Sequence, residues 1–131
     1  MPAQLNHTIA SARDPKASAI FLAEILGLPA PVRPGPFYGV TLANGATIDF
    51  LQDDGEITIQ HYAFLVSEEE FDGIFGRIKA RGLTYWADPR HQMPGQINRN
   101  DGGRGVYWND PDGHYLEILT RPYGNATPLE T

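Results

Sequence analysis

Two histidines and two acids recur in one arrangement along this chain. Gly45-Ala46-Thr47-Ile48-Asp49-Phe50-Leu51 and Gly113-His114-Tyr115-Leu116-Glu117-Ile118-Leu119 share a glycine, an acid four residues later and a leucine two beyond that. Each follows an apolar stretch containing a histidine, Leu5-Asn6-His7-Thr8-Ile9-Ala10 in the first half and Gln60-His61-Tyr62-Ala63-Phe64-Leu65-Val66 in the second. Side chains alternate across a strand, so Glu117 shares a face with Tyr115 and Leu119, and Asp49 and Glu117 are expected to face inward among apolar groups. A carboxylate there costs several kcal/mol, roughly, unless it neutralises, pairs or binds a metal. No lysine or arginine stands on these strands to pair with it. Two imidazoles and a carboxylate make the facial ligand set of mononuclear sites with open positions. His7, His61 and Glu117 are therefore the expected ligands of one divalent ion. Asp49, one methylene shorter than glutamate, is left open between a fourth ligand and a partly solvated carboxylate. Without cysteine, any metal must take nitrogen and oxygen donors.

The elements that must position these groups are legible. Residues 4–12 suit a strand. Asp14-Pro15 supplies a helix cap and first-turn proline, and the helix should run to Gly27. Four prolines between Pro29 and Pro36 make an extended connector. Strands are expected over 37–42 and 47–52, joined at Asn44-Gly45. The second half begins again with a strand over 61–66. Ser67-Glu68-Glu69-Glu70 reads as a capping box opening a helix with Phe71, Ile74, Phe75 and Ile78 on one face and Gly82 at its end. A strand over 83–86, a polar loop over 89–105 expected to act as a lid, and a hairpin of 106–108 with 115–120 around Asp110-Pro111-Asp112-Gly113 complete it. The tail 122–131 reads as an arm. His114 reads as a turn residue and His91 as an exposed loop histidine. Tyr107 and Trp108 alternate faces, so one must line the cavity, and Arg104 between two glycines is a candidate for an anionic substrate group.

The chain should form a single domain of two half-modules, about 4–55 and 59–121. Sixteen acids against ten lysines and arginines give a net charge of −6, which opposes binding to nucleic acid or an anionic membrane. The first residues show no leader pattern and no stretch is long enough for a membrane span, so the expected compartment is the cytoplasm.

Val106-Tyr107-Trp108-Asn109-Asp110-Pro111-Asp112-Gly113-His114-Tyr115-Leu116-Glu117, with the repeat around it, resembles the vicinal oxygen chelate superfamily, the glyoxalase, bleomycin-resistance and extradiol dioxygenase group. The resemblance runs from Leu5 to Thr120. It implies an α+β fold of two βαβββ modules forming a cup around one divalent metal ion (zinc, nickel, cobalt, manganese or iron), with helices outside. It implies His7, His61 and Glu117 as ligands, Asp49 where glyoxalase I places a fourth, and a homodimer. The expected activity is chelation of adjacent oxygens of a small substrate and stabilisation of the oxyanion or enediolate formed there, with Glu117 or Asp49 as base. Tyr107, Trp108 and Arg104 would contact substrate. Extradiol oxidation is the alternative. Tyr107 to Glu117 satisfies that group's signature, but positions 98–100 are Asn-Arg-Asn where it wants a histidine. The fosfomycin thiol transferases, which the segment from Gln60 to Phe64 with Tyr107 also resembles, hold a phosphonate with lysine and arginine near the metal, where Ala87 to Gln92 offers only Arg90 and the arginine after the last strand is placed differently, at Arg121. A non-catalytic binding protein of the bleomycin-sequestering type is the alternative from another class, and the retained ligand set weighs against it.

Overall fold

The computed structural model describes residues 2–124 and 128–129. The chain divides into two units, one of residues 1–60 with 109–114 and the other of residues 61–108 with 115–131.

In the first unit, strand β1 (His7–Ala12) leads into helix α1 (Pro15–Leu26), then β2 (Tyr38–Thr41) and β3 (Thr47–Gln52). The Asp14 carboxylate accepts from the Ala17 amide, and Gly27 ends the helix at φ 69°. β3 lies between its partners, parallel to β1 and antiparallel to β2. Ala10, Ala12, Leu22, Ile25, Val40, Ile48 and Phe50 are buried there. The resemblance implies one more strand in this half. A single bridge, Val32 to Gly39, stands in its place, because Pro31, Pro34 and Pro36 flank Val32 with residues that have no amide to donate.

The second unit repeats the order with one strand more: β4 (His61–Leu65), α2 (Glu68–Ala80), β5 (Tyr85–Trp86), β6 (Gly105–Asn109) and β7 (Tyr115–Leu119), in sheet order β4-β7-β6-β5. The capping box is present in both directions, Glu70 amide to Ser67 hydroxyl and Ser67 amide to Glu70 carboxylate. Phe71, Ile74 and Ile78 are buried, and Phe75 meets Tyr85 edge-on at 5.0 Å. The loop expected as a lid is tied down. Asp88 accepts from the Gln92 and Met93 amides, the Asn98 side chain donates to the Ala87 carbonyl, and bridges join Trp86 to Pro94 and Asn98 to Gly105.

The repeat seen in the sequence extends to backbone detail. Leu42 N donates to Ala46 O and Gly45 N to Leu42 O; Asp110 N donates to His114 O and Gly113 N to Asp110 O. Gly45 and Gly113 adopt φ of 88° and 90°, a region costly for side chains with a Cβ. Both units are thus α+β modules with mixed sheets. Half of the tail expected as an arm, residues 125–127 and 130–131, lies outside the described residues. No described helix is long and apolar enough to cross a membrane.

Candidate metal centre

Registered neighbours on adjacent strands share a sheet face. His61 stands opposite Tyr115 and Ala63 opposite Glu117, so one face carries His61, Tyr115 and Glu117. His61 Nε2 lies 3.0 Å from Glu117 Oε1. Glu117 is 1% exposed, whereas the His61 side chain is 45% exposed. The carboxylate can only accept, so in this state His61 carries its proton on Nε2 and donates it.

Two tyrosines complete the group. The Tyr123 hydroxyl donates to Glu117 Oε2, and the Tyr107 hydroxyl lies 3.2 Å from that of Tyr123. The Tyr107 ring tilts against His61 at 5.8 Å between centroids. Burial raises the Tyr107 phenol far above its ordinary range, aided by the Tyr123 hydrogen bond and the Glu117 charge. Burial likewise raises Tyr123, followed by its bond to Glu117. Both hydroxyls stay protonated at neutral pH. Tyr123 lies in the tail read from the sequence as an arm, and no periodicity marks it.

Trp108 turns to the opposite face, since Tyr85 stands across from Trp108 and Trp86 across from Tyr107. Trp108 is fully buried. Arg104 is engaged with helix α2, its guanidinium 2.7 Å from Glu68 Oε1 and 2.9 Å from Asp72 Oδ1 and over the Phe71 ring at 4.3 Å. The Thr120 hydroxyl and then Arg104 hold Glu68 below its ordinary value.

His91 is not a free loop side chain. Its ring stacks on Trp86 at 3.6 Å and 6° and meets Tyr115 at 4.5 Å. Its φ is 58°, and its Nε2 is buried with no hydrogen-bond partner. His114 is fully buried in the first unit. Its Nδ1 accepts from the Gln60 amide and its Nε2 donates to the Ser11 carbonyl, so it is a structural tie.

His7 and Asp49 belong to the first unit. Ile9 stands opposite Asp49 and His7 opposite Thr47, so both share a face of that sheet. His7 is exposed, and its Nδ1 lies 2.7 Å from Asn6 Oδ1. Donation to this amide oxygen puts the proton on Nδ1 and leaves the Nε2 lone pair open. Asp49 lies over Gly39, where a Cβ would come 2.8 Å from Asp49 Oδ1. Among the described residues no group of three or more His, Asp or Glu gathers into a metal-binding set. The pair that is assembled, a buried carboxylate oxygen beside an imidazole nitrogen, has the donor chemistry that a borderline divalent ion takes.

The profile of the Glyoxalase/Bleomycin resistance protein/Dioxygenase superfamily matches residues 4–118, and the chain belongs to that superfamily. It resembles two solved structures closely. Oxidase ChaP-H1 is 62% identical, with a TM-score of 0.93 over 95% of this chain and 100% of that one. Oxidase ChaP-H2 is 64% identical, with a TM-score of 0.92 over 95% and 98%. Glutathione transferase FosA of Serratia marcescens is 32% identical over 122 residues, 87% of this chain and 78% of that protein.

Proposed function

We propose that this chain is a metal-dependent enzyme that oxidises a small substrate bearing adjacent oxygens, its divalent ion held by His7, His61 and Glu117. The observation that carries the reading is the Glu117 carboxylate, 1% exposed, with one oxygen against His61 Nε2. An anion so desolvated in a chain of net charge −6 calls for a cation. His61 would offer Nε2 to an ion in the tautomer that carries its proton on Nδ1, and His7 already has its Nε2 lone pair open.

When bound, a redox-active ion would couple two-electron oxidation of the substrate to reduction of dioxygen. The remaining work falls to the chain. Trp86 and Tyr115 lie on the His61 face with the His91 ring packed against both, and the protonated Tyr123 hydroxyl, with Tyr107 behind it, sits against the acid. Oxidation is favoured over isomerisation by the two oxidases at 62% and 64% identity. A second reading, Lewis-acid group transfer, is supported by the similarity to FosA. Superfamily membership also supports a homodimer, which light scattering reads directly.

Metal analysis of protein purified without chelator tests the proposal. It should find a stoichiometric divalent ion, lost in His61→Ala, together with oxygen uptake on substrates carrying vicinal hydroxyl or carbonyl groups. Bound metal without oxygen uptake would favour group transfer. A metal-free protein would point to a sequestering protein instead.

A further inference from the structure

Among the described residues Glu117 is the most deeply buried acid of its unit, and each of its oxygens has a different neighbour. Oε1 faces His61 Nε2 at 3.0 Å, and Oε2 accepts from the Tyr123 hydroxyl. A phenol has one proton, and a carboxylate is the stronger acceptor, so Tyr123 gives its proton to Glu117. Tyr107, 3.2 Å from the Tyr123 oxygen, must then donate to Tyr123. Hydrogen bonds therefore run one way, from Tyr107 to Tyr123 to Glu117.

The backbone that brings Tyr123 there is built for close approach. Thr120 N donates to Arg104 O at 2.9 Å, and Arg104 N donates to the Thr120 hydroxyl at 2.8 Å. A Cβ on Gly103 would come 2.6 Å from Thr120 Oγ1 and 2.8 Å from Arg121 Cγ, so glycine lets these segments touch. Pro122 then limits the freedom of the step into Tyr123.

From this arrangement we infer that Tyr123 is a positioning residue for Glu117: it occupies Oε2 and leaves Oε1, beside His61 Nε2, as the oxygen offered to an ion. The inference rests on the metal reading proposed above. Its physical content is that the tail, through one hydroxyl, limits Glu117 to binding through a single oxygen. In this role Tyr123 acts through Glu117, the group its hydroxyl bonds.

Cobalt(II) binding to the full-length protein, followed by chelator competition and by its visible absorption, separates the possibilities. Tyr123→Phe should weaken cobalt affinity about 10- to 100-fold, the usual cost of losing a residue that orients a ligand. Its visible bands should also weaken, because a freed Oε2 can bind as well and raise the coordination number. The Tyr123 side chain is half exposed, at 53%, so the fold should survive, as circular dichroism would show. Ser67→Ala, which destabilises the same unit through a helix cap, should leave cobalt affinity within about twofold because it touches no ligand. Unchanged affinity and spectrum in Tyr123→Phe would overturn the inference while leaving the metal reading intact. An equal loss in Ser67→Ala would also overturn it, since the effect would then be general destabilisation. Failure of the unsubstituted protein to bind cobalt would sink the metal reading, and the inference with it.

Discussion

His7 and Asp49 in the first unit occupy the register positions of His61 and Glu117 in the second. Each histidine opens its strand, and each acid stands two residues along the parallel partner, opposite Ile9 or Ala63. The hairpin turns before the acids share their hydrogen bonds and a glycine near φ 90°. Yet the pairs behave differently. In the second unit the acid is buried and bonded to its histidine; in the first, His7 bonds Asn6 and the Asp49 carboxylate rests over Gly39. The added methylene of glutamate and the Tyr123 hydroxyl are what the first unit lacks. A shared backbone therefore sets where the groups stand, and side-chain length with one tail contact decides which acid becomes a candidate ligand.

The largest effect should come from removing the two acids in turn. Glu117→Ala should lower metal affinity by more than about 100-fold, beyond the cost of losing an orienting residue. Asp49→Ala should change it less than about threefold, as expected of a group with no ligand role. Equilibrium dialysis reads both, and equal losses would erase the asymmetry between the units. Next comes His114, whose counterpart in the first turn is Ala46. His114→Phe leaves the Gln60 amide and the Ser11 carbonyl without their imidazole partner, at about 2 kcal/mol or more in urea unfolding. A loss no larger than that of an ordinary surface change would mean the imidazole is replaceable there. Smaller again, Glu117→Asp removes the methylene and should weaken metal binding about tenfold, near 1.4 kcal/mol. Affinity equal to that of the unsubstituted protein would show that side-chain length does not separate the units.

Much of this was legible in the sequence because it depends on local rules. Glycine turns, caps and alternation mark the elements, and the repeat singled out His61 and Glu117 before the register that sets them on one face was known. The prolines around Val32 likewise foretold a connector rather than a full strand. What escaped depends on contacts distant along the chain. Tyr123 is a lone aromatic after a proline, with nothing in its neighbourhood to reveal Glu117. Arg104 between glycines looked free, but Glu68 and Asp72, four apart on helix α2, meet its guanidinium together. The depth of His114 followed from Ser11, more than a hundred residues away.

The smallest expected effect concerns how the two helices begin. Helix α1 is capped in one direction only, by Asp14 on the Ala17 amide, and Ala17 cannot reach back. Helix α2 has the reciprocal box, with the Ser67 amide 2.8 Å from Glu70 Oε1. The Ser67 backbone bond, followed by its side-chain bond, holds Glu70 below its ordinary value. An acid whose folded pKa is depressed adds stability above its unfolded pKa and loses it as pH falls through the lowered folded value. The start of α2 should therefore loosen in acid. Glu70→Gln, which keeps an acceptor but has no charge, should remove that dependence, and Ser67→Ala should cost about 1 kcal/mol at neutral pH. Amide exchange in the first turn of α2, followed from pH 6 towards pH 3 (about the range where carboxylates titrate), checks the claim. Equal acid sensitivity in Glu70→Gln and the unsubstituted protein would show that the box carries no charge-dependent stability.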